Sequence, residues 1–173
     1  MADKIAAAAQ KIDSSIEHRE DPTIAMLERK IDLGVRQPDE DLLKRSQDIL
    51  AKAKDPDRLN SVELYALEQI RLHKFPPTMN LKLQALRIGD LGIVAIPCEV
   101  FAEIGLEIRK KSPFKHTFVI GLANGYNGYL PTPEQHRLGG YETWPCSWSY
   151  LETEASTKIV RETLEMLGEL KKP

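Results

Sequence analysis

The double proline Pro76-Pro77 marks an abrupt change in the pattern of this sequence. Only one of the ten glycines, Gly34, and two of the eleven aromatic residues, Tyr65 and Phe75, precede it. The first 75 residues are charged and carry Ala, Leu and Ile, which is typical of helices. The remainder alternates short apolar runs with Gly, Pro and Asn, as strands and shaped loops do. Because the joint is too short and too apolar for a flexible linker, we expect one domain over residues 1–173.

The length and the charge balance narrow the possible classes of protein. A chain of 173 residues buries roughly 70% of its unfolded surface on folding, which is enough for a hydrophobic core. Its 24 Lys and Arg against 26 Asp and Glu leave a net charge of −2, without the basic excess of nucleic-acid-binding domains. No apolar run approaches the roughly 18 residues that span a bilayer, and the N-terminus lacks a signal-peptide core. We therefore expect no nucleic-acid partner, no transmembrane segment and, by default, a cytoplasmic location.

Helical spacing dominates the first 75 residues. The apolar side of a first predicted helix, over residues 3–18, carries Ile5, Ala8, Ile12 and Ile16. Pro38 predicts the start of a second helix, and Asn60 with Glu63 three residues later forms the capping pair of a third. Residues 25–36 fit both a helical stripe and a strand that alternates with period two, so periodicity leaves their structure open.

After the double proline, the pattern predicts strands joined by tight turns. Alternation over 81–86, a turn at Gly89-Asp90 and the apolar run 91–96 together indicate a hairpin. Pro97 ends the hairpin, and a helix follows as far as Lys110-Lys111. The buried side of that helix is predicted to carry Val100, Ile104, Leu106 and Ile108.

The last third of the chain predicts one more strand and two more helices. A second apolar strand over 117–123 precedes a short helix that Thr132 caps and Gly139-Gly140 ends. A long amphipathic helix then begins near Thr153. The predicted fold class is therefore α/β (α+β), with helices packed in layers on a mixed or antiparallel sheet.

Two polar positions directly follow the two apolar strands. Glu99 is expected in the first turn of a helix, where a carboxylate either answers the helix dipole or points into a cleft. Tyr126 lies between Gly125 and Gly128, where a sharp turn either presents the phenol at a rim or packs it under the loop. Because the two strands are adjacent, both side chains could face one cleft. Further along the chain, four aromatic residues form a loop-borne surface: Tyr141, Trp144, Trp148 and Tyr150. This surface either covers an apolar substrate or packs over the core.

The cysteines and histidines form no recognisable motif. Cys98 and Cys146 are too few for a disulfide framework and lack the spacing of a zinc knuckle, so we expect buried apolar thiols. The histidines, which are expected on the surface, are His18, His73, His116 and His136. A hydrolase that uses Cys98 or His136 remains an alternative, and it requires a reactive thiol of low pKa at Cys98.

Two motifs in a fixed order resemble the neutral/alkaline, non-lysosomal ceramidase family. They are LGIVAIPCEVFAEIG over Leu91–Gly105 and IGLANGYNGYLPTPEQHRLGGYE over Ile120–Glu142. The similarity is to the later part of the family's catalytic domain, and it extends with lower specificity over nearly the whole chain. It favours a strand for residues 25–36.

The resemblance implies a zinc-dependent amidase that cleaves the amide bond of N-acylsphingosine into a fatty acid and a sphingoid base. The glutamate of the family's Pro-x-Glu motif falls on Glu99 and the tyrosine of its Asn-x-Tyr motif on Tyr126, which implies two metal ligands. Asn124 and Tyr141 are implied on the substrate side. The family's two histidine ligands and its serine lie in a stretch that this chain does not contain, so no catalytic residue is assigned here.

Two functions follow as expectations. The first is a fragment or truncated relative of the zinc amidase, which holds half of a zinc site, acts on a lipid-like N-acyl amide only when complete, and is inactive alone. The second is a non-catalytic binding or assembly domain that keeps the fold and homo-oligomerises to cover an open sheet edge or apolar face.

Overall fold

A computed structural model describes residues 1–13, 15–17, 20 and 22–172. Within those residues the chain forms six α-helices, six strands and one turn of 3₁₀ helix at Tyr141–Thr143. The helices are α1 (Ala2–Asp13), α2 (Glu40–Ala51), α3 (Ser61–Leu72), α4 (Ala102–Lys111), α5 (Pro133–Leu138) and α6 (Ala155–Lys171). The strands are β1 (Ile24–Gly34), β2 (Thr78–Ile88), β3 (Leu91–Ala95), β4 (Glu99–Val100), β5 (His116–Ile120) and β6 (Tyr129–Leu130). No helix of the described part is both long and apolar enough to cross a membrane.

The main sheet has four strands in the order β1-β2-β3-β5. β2 pairs antiparallel with both β1 and β3, whereas β3 and β5 are parallel and are connected through α4. A second sheet consists of the parallel pair β4 and β6. The predicted mixed α/β class is therefore confirmed, and so is the hairpin with its turn at Gly89, whose φ is +58°.

The ambiguity over residues 25–36 resolves as a strand. β1 pairs with β2 in one uninterrupted register from Ile24 opposite Ile88 to Gly34 opposite Thr78. This long ladder pairs the backbone groups of β1 that face β2, and a helix could not use the same partner.

The core lies on one face of the main sheet, which we call the inner face. α6 packs against β1 and β2, and α4 packs against β5 and α6. The strand residues at the centre of this face are almost completely buried; they are Leu33, Leu81, Leu83, Ala85 and Val94. We call the opposite face the outer face.

The helix caps follow their sequence signals. The Asp39 side chain accepts a hydrogen bond from the Leu42 N–H at the start of α2. Asn60 and Glu63 form the predicted reciprocal capping box at the start of α3, with hydrogen bonds between 2.8 and 3.1 Å. Thr132 likewise caps α5 through the Gln135 N–H.

Several boundaries and faces differ from the predictions. The first helix ends at Asp13 instead of residue 18, and Ser14 and His18 lie outside the described residues. Its apolar side is exposed, with Ile5 at 66% and Ile12 at 63%. Helical spacing identifies an apolar stripe, but a stripe is buried only where another element packs on it.

The region after Pro97 also differs. Val100 belongs to a strand, α4 starts only at Ala102, and Leu106 is 60% exposed, so its predicted place on the buried side is wrong. α4 buries only the stripe of Ile104 and Ile108, which are four residues apart and share one face. The strand predicted over 117–123 ends at Ile120, because the chain turns sharply at Leu122, where φ is 53°.

Candidate functional site

Glu99 lies in β4, immediately after the buried residues 96–98 that follow β3. It was expected in the first turn of a helix, and that placement is wrong, because α4 begins three residues later with Phe101 at its N-cap. The helix dipole therefore does not explain a carboxylate at this position. The Glu99 N–H donates to the Gly128 carbonyl at 2.9 Å, which ties β4 to the loop that carries Tyr126.

The loop from Gly121 to Gly128 folds back along residues 96–99. The Leu122 N–H donates to the Cys98 carbonyl at 2.9 Å, and the Asn127 N–H donates to the Pro97 carbonyl at 2.8 Å. The Asn127 side chain adds a second bond to Pro97 at 3.0 Å and accepts one from the Tyr150 hydroxyl at 2.9 Å. These bonds hold the segments after β3 and β5 side by side.

Gly128 is required for this close approach. Its φ is +71°, and a Cβ atom there would lie 2.3 Å from the backbone oxygen of Trp148. The next residue, Tyr129, donates its N–H to that same oxygen at 2.9 Å. The glycine therefore lets the loop pass directly against residues 146–149.

The carboxylate of Glu99 and the phenol of Tyr126 meet at the surface. The Tyr126 hydroxyl donates to Glu99 Oε1 at 3.4 Å, and the Tyr126 side chain is 57% exposed. Partial burial, followed by the negative charge of Glu99, raises the pKa of the Tyr126 hydroxyl. The phenol is therefore protonated near neutral pH and acts as a hydrogen-bond donor.

Glu142 lies beside Glu99 in a surface depression, and Tyr141 packs against Tyr129, another residue of the same depression. A shallow depression of about 440 Å³ is lined by Glu99 and Glu142 together with Tyr129. The rings of Tyr129 and Tyr141 meet edge to face with centroids 5.8 Å apart. The hydrogen-bonding partner Tyr141, and secondly burial, raise the pKa of Tyr129 to about 12. The depression thus combines the side chains of two glutamates with the phenol of Tyr129.

Asn124 points toward the main sheet. Its φ is 60°, and its side-chain amide donates to Gln84 Oε1 on β2 at 2.5 Å. The loop that presents Tyr126 is therefore also anchored to the outer face of the sheet.

Sequence reasoning missed two residues that position this site. Asn127 lies inside the sequence motif over Ile120–Glu142, but its hydrogen bonds to Pro97 and Tyr150 were not foreseen. Arg36 is largely buried and donates to the carbonyls of Thr143 at 2.7 Å, Ser149 at 2.8 Å and Leu151 at 2.8 Å, which fixes the segment that follows Tyr141. Nothing local in the sequence signals Arg36, because its partners lie more than 100 residues away.

The aromatic residues after Tyr141 divide between the two expected roles. Trp144 is 49% exposed and packs edge to face on Tyr65 at 5.1 Å, whereas Tyr150 is buried against Phe75 at 5.2 Å. Tyr150 therefore belongs to the core, and Trp144 belongs to the surface.

The cysteine-based alternative is contradicted. Cys98 is fully buried, and this burial raises the pKa of its thiol to about 12. Burial also raises the pKa of Cys146, and both thiols are free, as expected. A buried, protonated thiol is a poor nucleophile.

The described histidines are dispersed. His73 and His116 are exposed as predicted, and burial lowers the pKa of the half-buried His136. His18 lies outside the described residues.

The donor set does not complete a zinc site. Structural and catalytic zinc ions take three or four protein ligands, commonly including imidazole or thiolate. Glu99 and Tyr126 supply two oxygens, and the described part of the chain holds no group of three or more His, Cys, Asp or Glu side chains placed for a metal ion.

Comparisons with known proteins find partial similarity to neutral ceramidases. No protein-family model matches the chain. It is 34% identical over 88 residues to neutral ceramidase 1 of Arabidopsis thaliana. The matched region covers 43% of this chain and 11% of that protein. The crystal structure of neutral ceramidase from Pseudomonas aeruginosa matches 86% of this chain and 28% of its own with a TM-score of 0.56 and 16% identity. A ceramidase complexed with C2 matches 56% of this chain and 15% of its own with a TM-score of 0.46 and 21% identity.

The chain is therefore partially similar to neutral ceramidases, and its fold matches part of a ceramidase structure. It spans less than a third of the length of each of these proteins.

Proposed function

We propose that Glu99 and Tyr126 are two ligands of a ceramidase-type zinc site, carried here by a fragment or truncated relative of an amidase that cleaves N-acylsphingosine. The observation that supports this most directly is the 3.4 Å contact between the Tyr126 hydroxyl and the Glu99 carboxylate. Glu99 comes from β4 and Tyr126 from the loop after β5, and backbone hydrogen bonds between these two segments hold the side chains next to each other. A pair held in this way is preorganised for a shared ligand.

The same chemistry explains why we propose no amide hydrolysis by the chain alone. Two oxygen ligands without imidazole leave a zinc ion weakly held. Binding must also remove the Tyr126 proton, whose pKa is raised by partial burial and by Glu99. Zinc affinity is therefore low near neutral pH and increases as the pH rises.

We assign the substrate side of the site to Tyr141 and Asn124. Tyr141 packs on Tyr129 above the depression that Glu99 and Glu142 line, so an amide group could lie against the carboxylates with apolar ring edges beside it. Asn124 supports the loop through Gln84. Such a mixture of ring edges and a few polar groups suits a lipid-like N-acyl amide.

Zinc titration by calorimetry tests the ligand assignment. We expect weak binding that Glu99→Gln and Tyr126→Phe each weaken further, and that strengthens between pH 7 and pH 9 in the unaltered chain. Glu103→Gln on α4 is the matched control, because Glu103 is an exposed carboxylate outside the site. Equal zinc affinity in all three variants and the unaltered chain would refute the assignment.

Hydrolysis of a fluorogenic N-acylsphingosine tests the proposed inactivity. A complete neutral ceramidase serves as the positive control, and no turnover above background is expected from the 173-residue chain. Zinc-dependent turnover that Glu99→Gln abolishes would show instead that the chain is an enzyme by itself.

A second candidate function is a non-catalytic assembly domain. The observation that favours it is the exposure of large apolar side chains on the outer face of the sheet, including Ile24 at 76% and Met26 at 55%. Surfaces of this kind mark interaction sites in soluble proteins.

A further inference from the structure

A row of apolar side chains crosses all four strands on the outer face of the sheet. Met26 pairs with Leu86, Leu86 pairs with Ile93, and Ile93 pairs with Phe118. Directly paired residues share one face of a sheet. Met26 and Phe118, at the two edges of this row, are 55% and 44% exposed.

The neighbouring rows extend this surface. Ile24, Ile88 and Leu91 form the next row on one side, and Ile120 belongs to the row on the other side. We call the whole surface the apolar outer patch; it consists of Ile24, Met26, Leu86, Ile88, Leu91, Ile93, Phe118 and Ile120. From their exposed fractions, these eight side chains together offer roughly 600 Å², at the upper end of the largest patch on a typical monomer.

Beyond the patch, the outer face of β1 and β2 carries polar side chains, so the patch has a defined border there. Further along β1 and β2, the outward residues include Glu28, Lys30 and Asp32 opposite Gln84, Lys82 and Asn80. Lys82 and Glu28 form an ion pair at 3.2 Å, and Asn80 donates to Asp32 at 2.6 Å. This border carries both signs of charge, so two copies of it need not repel each other.

We propose that the apolar outer patch binds the same patch of a second copy of this chain, in a symmetric dimer of two sheets packed face to face. The proposal rests on the second candidate function and identifies the surface responsible. A two-fold interface needs a patch complementary to itself, which an apolar surface with a mixed-charge border provides. With its polar border, the area approaches the approximately 800 Å² that each partner buries in a standard interface. Packed sheets are a common way to cover such faces, at a separation of about 10 Å.

The interface reaches the edge of the candidate site. Ile120 is the last residue of β5, and the loop that carries Tyr126 begins directly after it. Gln84, which holds Asn124, lies in the same cross-strand row as Ile120. The dimer therefore places the Gln84–Asn124 hydrogen bond, which anchors the Tyr126 loop, at the edge of the interface.

Sedimentation velocity over a range of concentrations tests the proposal. The unaltered chain is expected to sediment as a species of twice 19.6 kDa, and Phe118→Lys and Met26→Lys are each expected to shift it to monomer. Both side chains face solvent, so their replacement is compatible with folding, which far-UV circular dichroism verifies. The control is Ile12→Lys on α1, an isoleucine that is 63% exposed outside the patch; it should remain dimeric.

The opposite results are equally clear. A concentration-independent monomer would overturn the proposal, and so would a dimer that survives both Phe118→Lys and Met26→Lys. Dissociation by Ile12→Lys would place α1 in the interface and contradict packing of sheet on sheet. Should either patch variant fail to fold, slower amide exchange of β5 in the unaltered chain at high concentration supports the proposal, and unchanged exchange refutes it. Zinc titration of the monomeric variants separates this result from the ligand assignment, because Glu99 and Tyr126 remain present in them.

Discussion

The two faces of the main sheet are made by the same strands and have opposite environments. On β2, Leu83 and Ala85 are fully buried on the inner face, whereas Ile88 is 41% exposed on the outer face. Both faces carry apolar residues, so hydrophobicity alone does not separate them. What separates them is the presence of α4 and α6 on the inner face. Period-two alternation thus identifies residues that share a face, but the helices determine which face becomes the core.

A pair of truncations should give the largest difference between the faces. Leu83→Ala removes a fully buried side chain beneath the helices and is expected to lower the free energy of unfolding by about 2–5 kcal/mol. Ile88→Ala on the outer face of the same strand is expected to cost less than about 1 kcal/mol. Urea denaturation at a concentration where the chain is monomeric measures both values. Equal costs would mean that the outer face is covered in the monomer, and the comparison would fail.

Two glycine-to-alanine substitutions give the next largest effect. The change in the free energy of unfolding is expected to have opposite signs at Gly92 and Gly105. A Cβ atom on Gly92, on the inner face of β3, would lie 2.9 Å from the Phe114 ring and 3.1 Å from Leu167. Gly92→Ala is therefore expected to destabilise the fold by about 1–3 kcal/mol through overpacking. Gly105→Ala on α4 meets nothing within 4 Å and is expected to stabilise the helix by up to about 1 kcal/mol. Thermal unfolding monitored by circular dichroism distinguishes the two, and a stabilising Gly92→Ala would show that the inner face has spare room.

Most of the fold could be predicted from local signals in the sequence. The hairpin, the caps at Asn60 and Thr132 and the final helix each depend on residues a few positions apart, and each is present in the structure. The errors arise where a distant partner decides the outcome. Within the described residues no element buries the helical stripe of α1, and Glu99 forms a strand because it pairs with Tyr129 thirty residues later.

The candidate site was predictable in its motifs and unpredictable in its supports. The sequence leaves it open whether Glu99 and Tyr126 share a cleft, although both follow adjacent strands, and in the structure their side chains meet. Their roles as ligands remain a prediction. Arg36 could not be identified, because its contacts with Thr143 and Ser149 exist only after the chain has folded. The direction of Asn124 toward Gln84 likewise depends on how the loop crosses the sheet.

Charged residues provide the smallest and sharpest test of the two faces. Arg29 lies on the inner face of β1 and bridges α6, with Glu162 at 2.7 Å, Glu165 at 3.7 Å and a close contact to Glu169. Its outer-face counterpart, Lys82, forms an ion pair with Glu28 at 3.2 Å. Arg29→Met keeps the apolar stem and should cost about 0.5–1 kcal/mol at low ionic strength, because three glutamates lose their shared cation.

Lys82→Met is the matched control, and no measurable change is expected because its pair is solvated. In 1 M NaCl the difference between the two variants should disappear, since the screening length falls to about 3 Å. Urea denaturation at low and high salt measures both effects. A cost for Lys82→Met as large as that for Arg29→Met would show that the outer face is as shielded from water as the inner one. The two faces would then differ in what covers them, rather than in whether they are covered.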